Sequence, residues 1–307
     1  MKINTNFLII GLGLLGGSIA KKLKSIQNSN IDNIFALSHK NETVILAKNL
    51  DLVKYSDISL ENVLSNIKPL ENIVIIIATP PNLVHETILK IIKNLPIINH
   101  KNIIITDISS VKSEIYENIK EIIPQNITFI GSHPMTGKET NGLINSDKNL
   151  LDNSITFITP IEDKPYTKNY EKNLNFLCEF WEKLNTKPII IESDKHDELV
   201  ALTSHFQHIL SAIDINLTSK SKYFDLIPLA IGGSFMSNTR IAKSDPSLWT
   251  DIIFKNKKNI LPILKQYKNL LEEFEKILTE NDREKILKFL ENTQKTKIFL
   301  DNQTEKI

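Results

Sequence analysis

The run Phe7-Leu8-Ile9-Ile10-Gly11-Leu12-Gly13-Leu14-Leu15-Gly16 constrains this chain more than any other stretch. An apolar segment suited to a buried strand leads into glycines at GxGxxG spacing and then into a segment of helical composition, which is the context that gives the motif its meaning. Gly11 permits a tight turn, Gly13 lets a pyrophosphate approach the backbone, and Gly16 lets helix and strand pack closely. Leu14 and Leu15 open the helix, whose N-terminus favours negative charge. These five residues are therefore expected to hold the phosphates of a dinucleotide. The competing reading is an ordinary strand-to-helix turn that uses glycine only for conformational freedom.

The segment Phe7 to Ala20, preceded by Lys2, also has the length of a signal-peptide core, but four of the chain's nine glycines lie inside it. Secretion requires no such spacing, and a phosphate-binding turn does. No apolar run reaches the roughly 18 to 20 residues needed to span a bilayer. Lys plus Arg (37) nearly balances Asp plus Glu (36), so no global field favours nucleic acid or an acidic membrane. A single cysteine, Cys178, cannot close an internal disulfide, and a reducing cytoplasm is the expected compartment. At 307 residues the chain exceeds one comfortable core, so two domains are expected.

The first half alternates short β-branched runs with amphipathic segments, the pattern of βαβ units. Residues 7–10, 34–37, 73–77 and 103–106 read as strands apolar on both faces, as a parallel sheet covered by helices requires. Further strands are expected at 127–130, 154–159 and 188–192, with a helix at 168–184. From about residue 193 helical spacing takes over, with helices expected at 197–220, 248–278 and 282–296, and a loose tail at 301–307. The expected architecture is α/β: a Rossmann-type dinucleotide-binding domain with a mostly parallel sheet over residues 1–192, then an all-helical domain over residues 193–307.

Where the second strand ends, an acidic residue would bind the ribose 2′-hydroxyl of NAD. Here the strand runs into Ser38, His39 and Lys40, and these suit a 2′-phosphate, so NADP is favoured over NAD. Thr79 and Pro80, just after a central strand, are expected near the same crevice.

Three further segments carry chemistry-bearing residues. They are Gly131-Ser132-His133-Pro134-Met135-Thr136-Gly137-Lys138-Glu139, then His196-Asp197 followed by Ser204-His205-Phe206-Gln207-His208, and finally the run Thr239-Arg240-Ile241-Ala242-Lys243-Ser244-Asp245-Pro246-Ser247-Leu248-Trp249. The first resembles the GSHPMAGTE segment of the prephenate and arogenate dehydrogenases of tyrosine biosynthesis. The second is similar to their HDxxxAxxSHLPH stretch, and the third to their TRIAxSDPxxW stretch. Asp107-Ile108-Ser109-Ser110-Val111-Lys112 resembles the family's DxGSVK segment. The chain departs from these patterns at Lys138, at Ser109, and at Phe206-Gln207 in place of Leu-Pro. Without that proline, the helix around Gln207 is expected to be more regular.

The resemblance implies hydride transfer from a ring 4-hydroxyl carbon to nicotinamide, with loss of the ring carboxylate. It makes His133 the group that receives the hydroxyl proton or its hydrogen bond, with Ser110 contacting the same hydroxyl or the histidine. Arg240, His205 and His208 would hold substrate carboxylates, Glu139 would stand near the pocket entrance, and Asp197 would support the histidine cluster. Prephenate suits two histidines with an arginine better than arogenate does. A small-molecule substrate and a homodimer built on the helical half are expected, without a metal.

Duller readings stand beside these. His133 would merely cap a strand end, Arg240 would pair with Asp245 or Asp251, and His196, Asp197, His205 and His208 would make a metal site. Trp249 and Phe206 read as core. The rival functions are a β-hydroxyacid or imine-type reductase and a dinucleotide-sensing protein without turnover.

Overall fold

The computed structural model describes residues 5–26, 32–98, 100–161 and 168–304. The chain forms two compact units, Met1–Lys257 and Lys258–Ile307.

The first unit opens with β1 (Thr5–Ile10), α1 (Leu14–Ile26), β2 (Ile34–Leu37), α2 (Asn41–Asn49), β3 (Tyr55–Asp57), α3 (Leu60–Ser65), β4 (Asn72–Ile77) and α4 (Val84–Lys93). It continues through β5 (Asn102–Asp107), α5 (Ser113–Ile119) and β6 (Ile127–Phe129). These strands form a six-stranded sheet of order β3-β2-β1-β4-β5-β6. Every pairing is parallel. The order reverses between β1 and β4, and a crevice outside the strand ends at such a point is where doubly wound sheets bind ligands.

Alternation along β1 shows why the sheet must be covered twice. Phe7 and Ile9 join a core with Ile19 and Leu23 of α1, whereas Leu8 and Ile10 join one with Ile88 of α4 and Ile115 of α5.

A second sheet follows, of order β7-β8-β9, from β7 (Gly131–Pro134), β8 (Ile155–Thr159) and β9 (Lys187–Ile190). β7 runs antiparallel to β8, and β8 parallel to β9. α6 (Lys168–Lys183) lies before β9 and sends Leu177, Phe180 and Trp181 into the core that holds Phe7.

Beyond β9 the chain is helical: α7 (Ser193–Val200), α8 (Phe206–Ser219), α9 (Ile227–Ala230), α10 (Gly233–Thr239) and α11 (Pro246–Lys255). α12 (Lys257–Thr279) carries the chain into the second unit, and α13 (Arg283–Thr304) completes it. Within that unit Phe274 and Phe289 bring their rings to 5.2 Å. Among the described residues no helix is long and apolar enough to cross a membrane.

Several sequence expectations need adjusting. β3 has no counterpart among the strands read from the sequence, since only Ser56 of its three residues is buried. β7 was legible only as a motif. The helix expected over 248–278 breaks at Asn256, whose side chain turns inward and donates from Nδ2 to the Asp197 carbonyl at 2.8 Å. The chain around Gln207 is regular only from Phe206 onward. Ala201–His205 before it form a π-helical turn, a local widening often found at functional sites, and Gln207 Nε2 donates to the Leu202 carbonyl at 3.1 Å. Part of the expected loose tail, residues 301–304, is helical, and residues 305–307 lie outside the described residues.

Candidate active site

The glycine turn after β1 lies against the end of β4. Gly11 has φ +102°, and a Cβ there would sit 2.6 Å from the Ala78 carbonyl oxygen, so both conformation and space demand glycine. A Cβ on Gly16 would collide with the Gly11 carbonyl oxygen. Gly13 differs, because a Cβ there meets nothing within 4 Å. The fold itself therefore leaves room above Gly13, as a phosphate approaching the backbone needs. Leu14 is the first residue of α1, and Leu15 packs against the core beneath it. Thr79 Oγ1 is buried without a hydrogen-bond partner just after β4, and Pro80 beside it is exposed. Open space, an orphan hydroxyl and a helix N-terminus together fit a dinucleotide's phosphates.

At the end of β2, Ser38 is buried and its Oγ accepts from the Lys40 amide at 3.3 Å, while His39 and Lys40 are exposed. The register pairs Leu37 with Asp57 at the end of β3. Both oxygens of that carboxylate are engaged, Oδ1 by the Ser59 amide at 2.8 Å and Oδ2 by the Tyr55 hydroxyl at 3.1 Å. The Ser59 amide is the main reason its carboxyl lies below the ordinary range.

β7 is held rigidly. Trp181 Nε1 donates to Ser132 Oγ at 2.9 Å, Thr106 Oγ1 and Ser132 Oγ share a hydrogen bond at 2.8 Å, and Lys112 Nζ donates to the Ser132 carbonyl at 2.7 Å. Lys112 also forms a fully buried ion pair with Asp107. A Cβ on Gly131 would collide with the Thr159 hydroxyl and approach Lys112 Cδ at 3.1 Å, so this strand crosses the lysine closely.

The next residue in the motif after Ser132 is His133. Its Nδ1 lies 2.8 Å from His196 Nε2, and His196 Nδ1 lies 2.8 Å from Asp197 Oδ1. Asp197 also accepts the amides of Lys112 and Ser113 at the start of α5, each at 2.9 Å. Burial, then the neighbouring His196, Lys112 and His205, hold His133 well below the ordinary histidine range, so it is neutral at pH 7. His196 is lowered by burial against the pull of Asp197. Burial pushes the Asp197 carboxyl up, but His196 and the two amides outweigh it and leave it below its ordinary value.

His205, at the end of the π-helical turn, is fully buried. Asn256 Nδ2 lies 3.0 Å from its Nδ1. Since that amide group also donates to the Asp197 carbonyl, Nδ1 is the acceptor and Nε2 carries the hydrogen. That Nε2 has no hydrogen-bond partner of good geometry, although the Ser110 backbone lies close enough to oppose the fall in the ring's pKa. Burial lowers His205 to about 4 and His208 to about 4. Both rings lie against Trp249, His205 edge-on at 6.1 Å and His208 stacked. Trp249 packs against the core, as expected, and also forms a wall for two histidines, and Phe206 is buried.

Arg240 forms an ion pair with Glu139 while remaining largely exposed. The expected alternative partner Asp245 instead accepts from Asn141 Nδ2 at 2.9 Å and caps α11 through the Leu248 amide at 3.0 Å. The loop after β7 and the segment after α10 are therefore joined at two points. The structure gathers His133, His205, Ser110 and Asp197 around α5 and α7, and brings Glu139 to Arg240. Among the described residues no group of three or more His, Cys, Asp or Glu is placed to hold a metal ion.

Two features escaped the sequence reading. His196 was visible in its motif, but a task was foreseen for it only in the metal-site alternative. The stretch from Asp107 to Lys112 was visible as a DxGSVK-like segment, but nothing in it signalled that its two charged ends pair beneath β7.

The family model for the prephenate dehydrogenase nucleotide-binding domain matches residues 19–190, and the model for the prephenate dehydrogenase dimerization domain matches residues 192–292. A prephenate dehydrogenase of Bacillus subtilis is 26% identical over 294 residues, covering 95% of this chain and 75% of the relative. One from Lactococcus lactis is 29% identical over 297 residues, covering 94% of this chain and 75% of the relative. In fold, the chain is similar to the solved structure of A. aeolicus prephenate dehydrogenase in complex with hydroxyphenyl propionate and NAD+, with TM-score 0.80 and 24% identity over 98% of this chain and 99% of that one. With both halves matched in order, the chain belongs to the prephenate dehydrogenase family.

Proposed function

We propose that this chain catalyses the oxidative decarboxylation of prephenate in tyrosine biosynthesis, with NADP as the hydride acceptor. The observation that carries the reading is His133, a buried, neutral imidazole fixed through Nδ1, on a strand that immediately follows the parallel sheet. Ser38, His39 and Lys40 would receive the 2′-phosphate. The carboxylate paired in register with that strand end, Asp57, already spends both oxygens on its own loop.

Held by Gly11, Gly13 and Gly16 with Ser38, His39 and Lys40, a nicotinamide dinucleotide would supply the hydride acceptor for the ring carbon that bears the hydroxyl. His133 receives the hydroxyl proton as the O–H electron pair becomes the C=O bond. The ring carboxylate then leaves as carbon dioxide. Its bonding pair moves through the ring to the oxygen, which takes back a proton to give the phenol. Ser110 orients the hydroxyl, and the Nε2–H of His205, which has no hydrogen-bond partner of good geometry, holds the carboxylates with His208 and Arg240. Glu139 masks Arg240 until substrate competes for it, and Asp197 supports the histidines. Two neutral histidines with the Arg240 guanidinium, while Asp197 is already engaged by His196, fit the ketoacid side chain of prephenate better than an ammonium.

Residues 193–307 form the substrate and dimerisation part in this reading. Leu217, Phe224 and Leu229 in the first unit are exposed, as are Leu261, Leu271 and Leu287 in the second, and a homodimer would cover them. Product analysis tests the proposal. Prephenate should give one carbon dioxide and one 4-hydroxyphenylpyruvate per reduced cofactor, and reduction without carbon dioxide would refute it.

A further inference from the structure

The contact between His133 and His196 does more than hold the ring in place, because it determines which nitrogen of His133 faces outward. An ionised carboxylate only accepts, so the hydrogen between His196 and Asp197 belongs to His196 Nδ1. Burial keeps His196 neutral, and a neutral imidazole with its hydrogen on Nδ1 offers Nε2 as an acceptor. The 2.8 Å contact is therefore donated by His133 Nδ1–H. The lone pair of His133 is left on Nε2.

We infer that His196 is a positioning residue that fixes the tautomer of His133, so that Nε2 is the atom that receives the substrate's hydroxyl proton. In water an imidazole favours its hydrogen on Nε2, the form unable to accept there, so this site must impose the other form. The surroundings give His196 little freedom. It is fully buried, Phe157 packs edge-on against it at 5.4 Å, and Phe157 is paired in register with His133 itself. Asp197 is in turn fixed by two amides of the α5 start. When His133 takes the proton, its Nδ1–H stays on His196 Nε2, and no proton passes on to Asp197.

The inference rests on the proposed reaction, and two variants separate it from a general structural role. His196→Asn keeps an amide in place of Nδ1 for Asp197 but is too short to reach His133. His196→Gln places its amide oxygen where Nε2 was. With 15N-histidine labelling, the His133 signals, assigned by loss in His133→Asn, should report hydrogen on Nδ1 in the native protein and in His196→Gln. They should report hydrogen largely on Nε2 in His196→Asn. Turnover with prephenate should fall about tenfold or more in His196→Asn, with KM and reduced-cofactor affinity little changed, and recover substantially in His196→Gln. A native tautomer and native kcat in His196→Asn would overturn the inference, as would equal loss in both variants. The labelling experiment needs no substrate, so a native tautomer as described in a protein inert towards prephenate would count against the reaction and leave the pairing standing.

Discussion

Arg240 and Glu139, both expected to serve substrate, are ion-paired with each other across the loop after β7 and the segment after α10. The guanidinium is therefore already aimed by a carboxylate, and a substrate carboxylate entering the site would exchange for that partner. Arg240→Gln should raise KM for prephenate about tenfold or more while changing kcat less, because a charge-assisted hydrogen bond is worth roughly 1.5–3 kcal/mol. Steady-state kinetics decide it, and an unaltered KM would reduce Arg240 to a surface ion pair.

Gly11 and Gly13 should separate folding from cofactor binding. A Cβ on Gly11 meets the Ala78 carbonyl at 2.6 Å at positive φ, whereas one on Gly13 meets nothing. Gly11→Ala should destabilise the protein by about 1–3 kcal/mol. Gly13→Ala should leave Tm nearly native while weakening dinucleotide binding about tenfold, a loss of about 1.4 kcal/mol. Thermal melts and cofactor titration measure both, and native affinity in Gly13→Ala would remove the turn from the site.

Stability should depend on pH in a known direction. His205 and His208 fall from 6.5 to about 4 in the folded protein, chiefly through burial, and His133 and His196 are lowered as well. The unfolded chain then binds more protons between those values, so stability is complete above pH 6.5 and is lost as pH falls towards 4. Denaturant midpoints across that range should decline steadily. Midpoints that stay flat would mean the histidines are solvated.

The buried Asp107–Lys112 pair holds β7 from below. Lys112→Met leaves Asp107 unpaired in the interior and should cost about 3–5 kcal/mol, whereas replacing both residues by apolar ones should recover much of the loss. Chemical denaturation of the single and double variants tests this coupling, and additive losses would contradict it.

Much of the nucleotide-binding fold could be read directly, because strands such as Ile73-Val74-Ile75-Ile76-Ile77 are apolar on both faces and the glycine turn follows a strand. β3 could not, since Tyr55-Ser56-Asp57 is short and only Tyr55 in it is apolar. His133, Arg240 and the paired histidines were reached through motif resemblance, but the contact of His133 with His196 spans 63 residues and no local pattern encodes it. Asn256 illustrates the same limit. It breaks a helix that periodicity runs straight through, because its side chain serves Asp197 and His205.

The central claim is best tested by mixing the purified protein with prephenate and NADP, then with prephenate and NAD, and following the absorbance of reduced nicotinamide. Reduction with prephenate, at higher kcat/KM for NADP, is the predicted result. No reduction with prephenate or with arogenate would contradict the account.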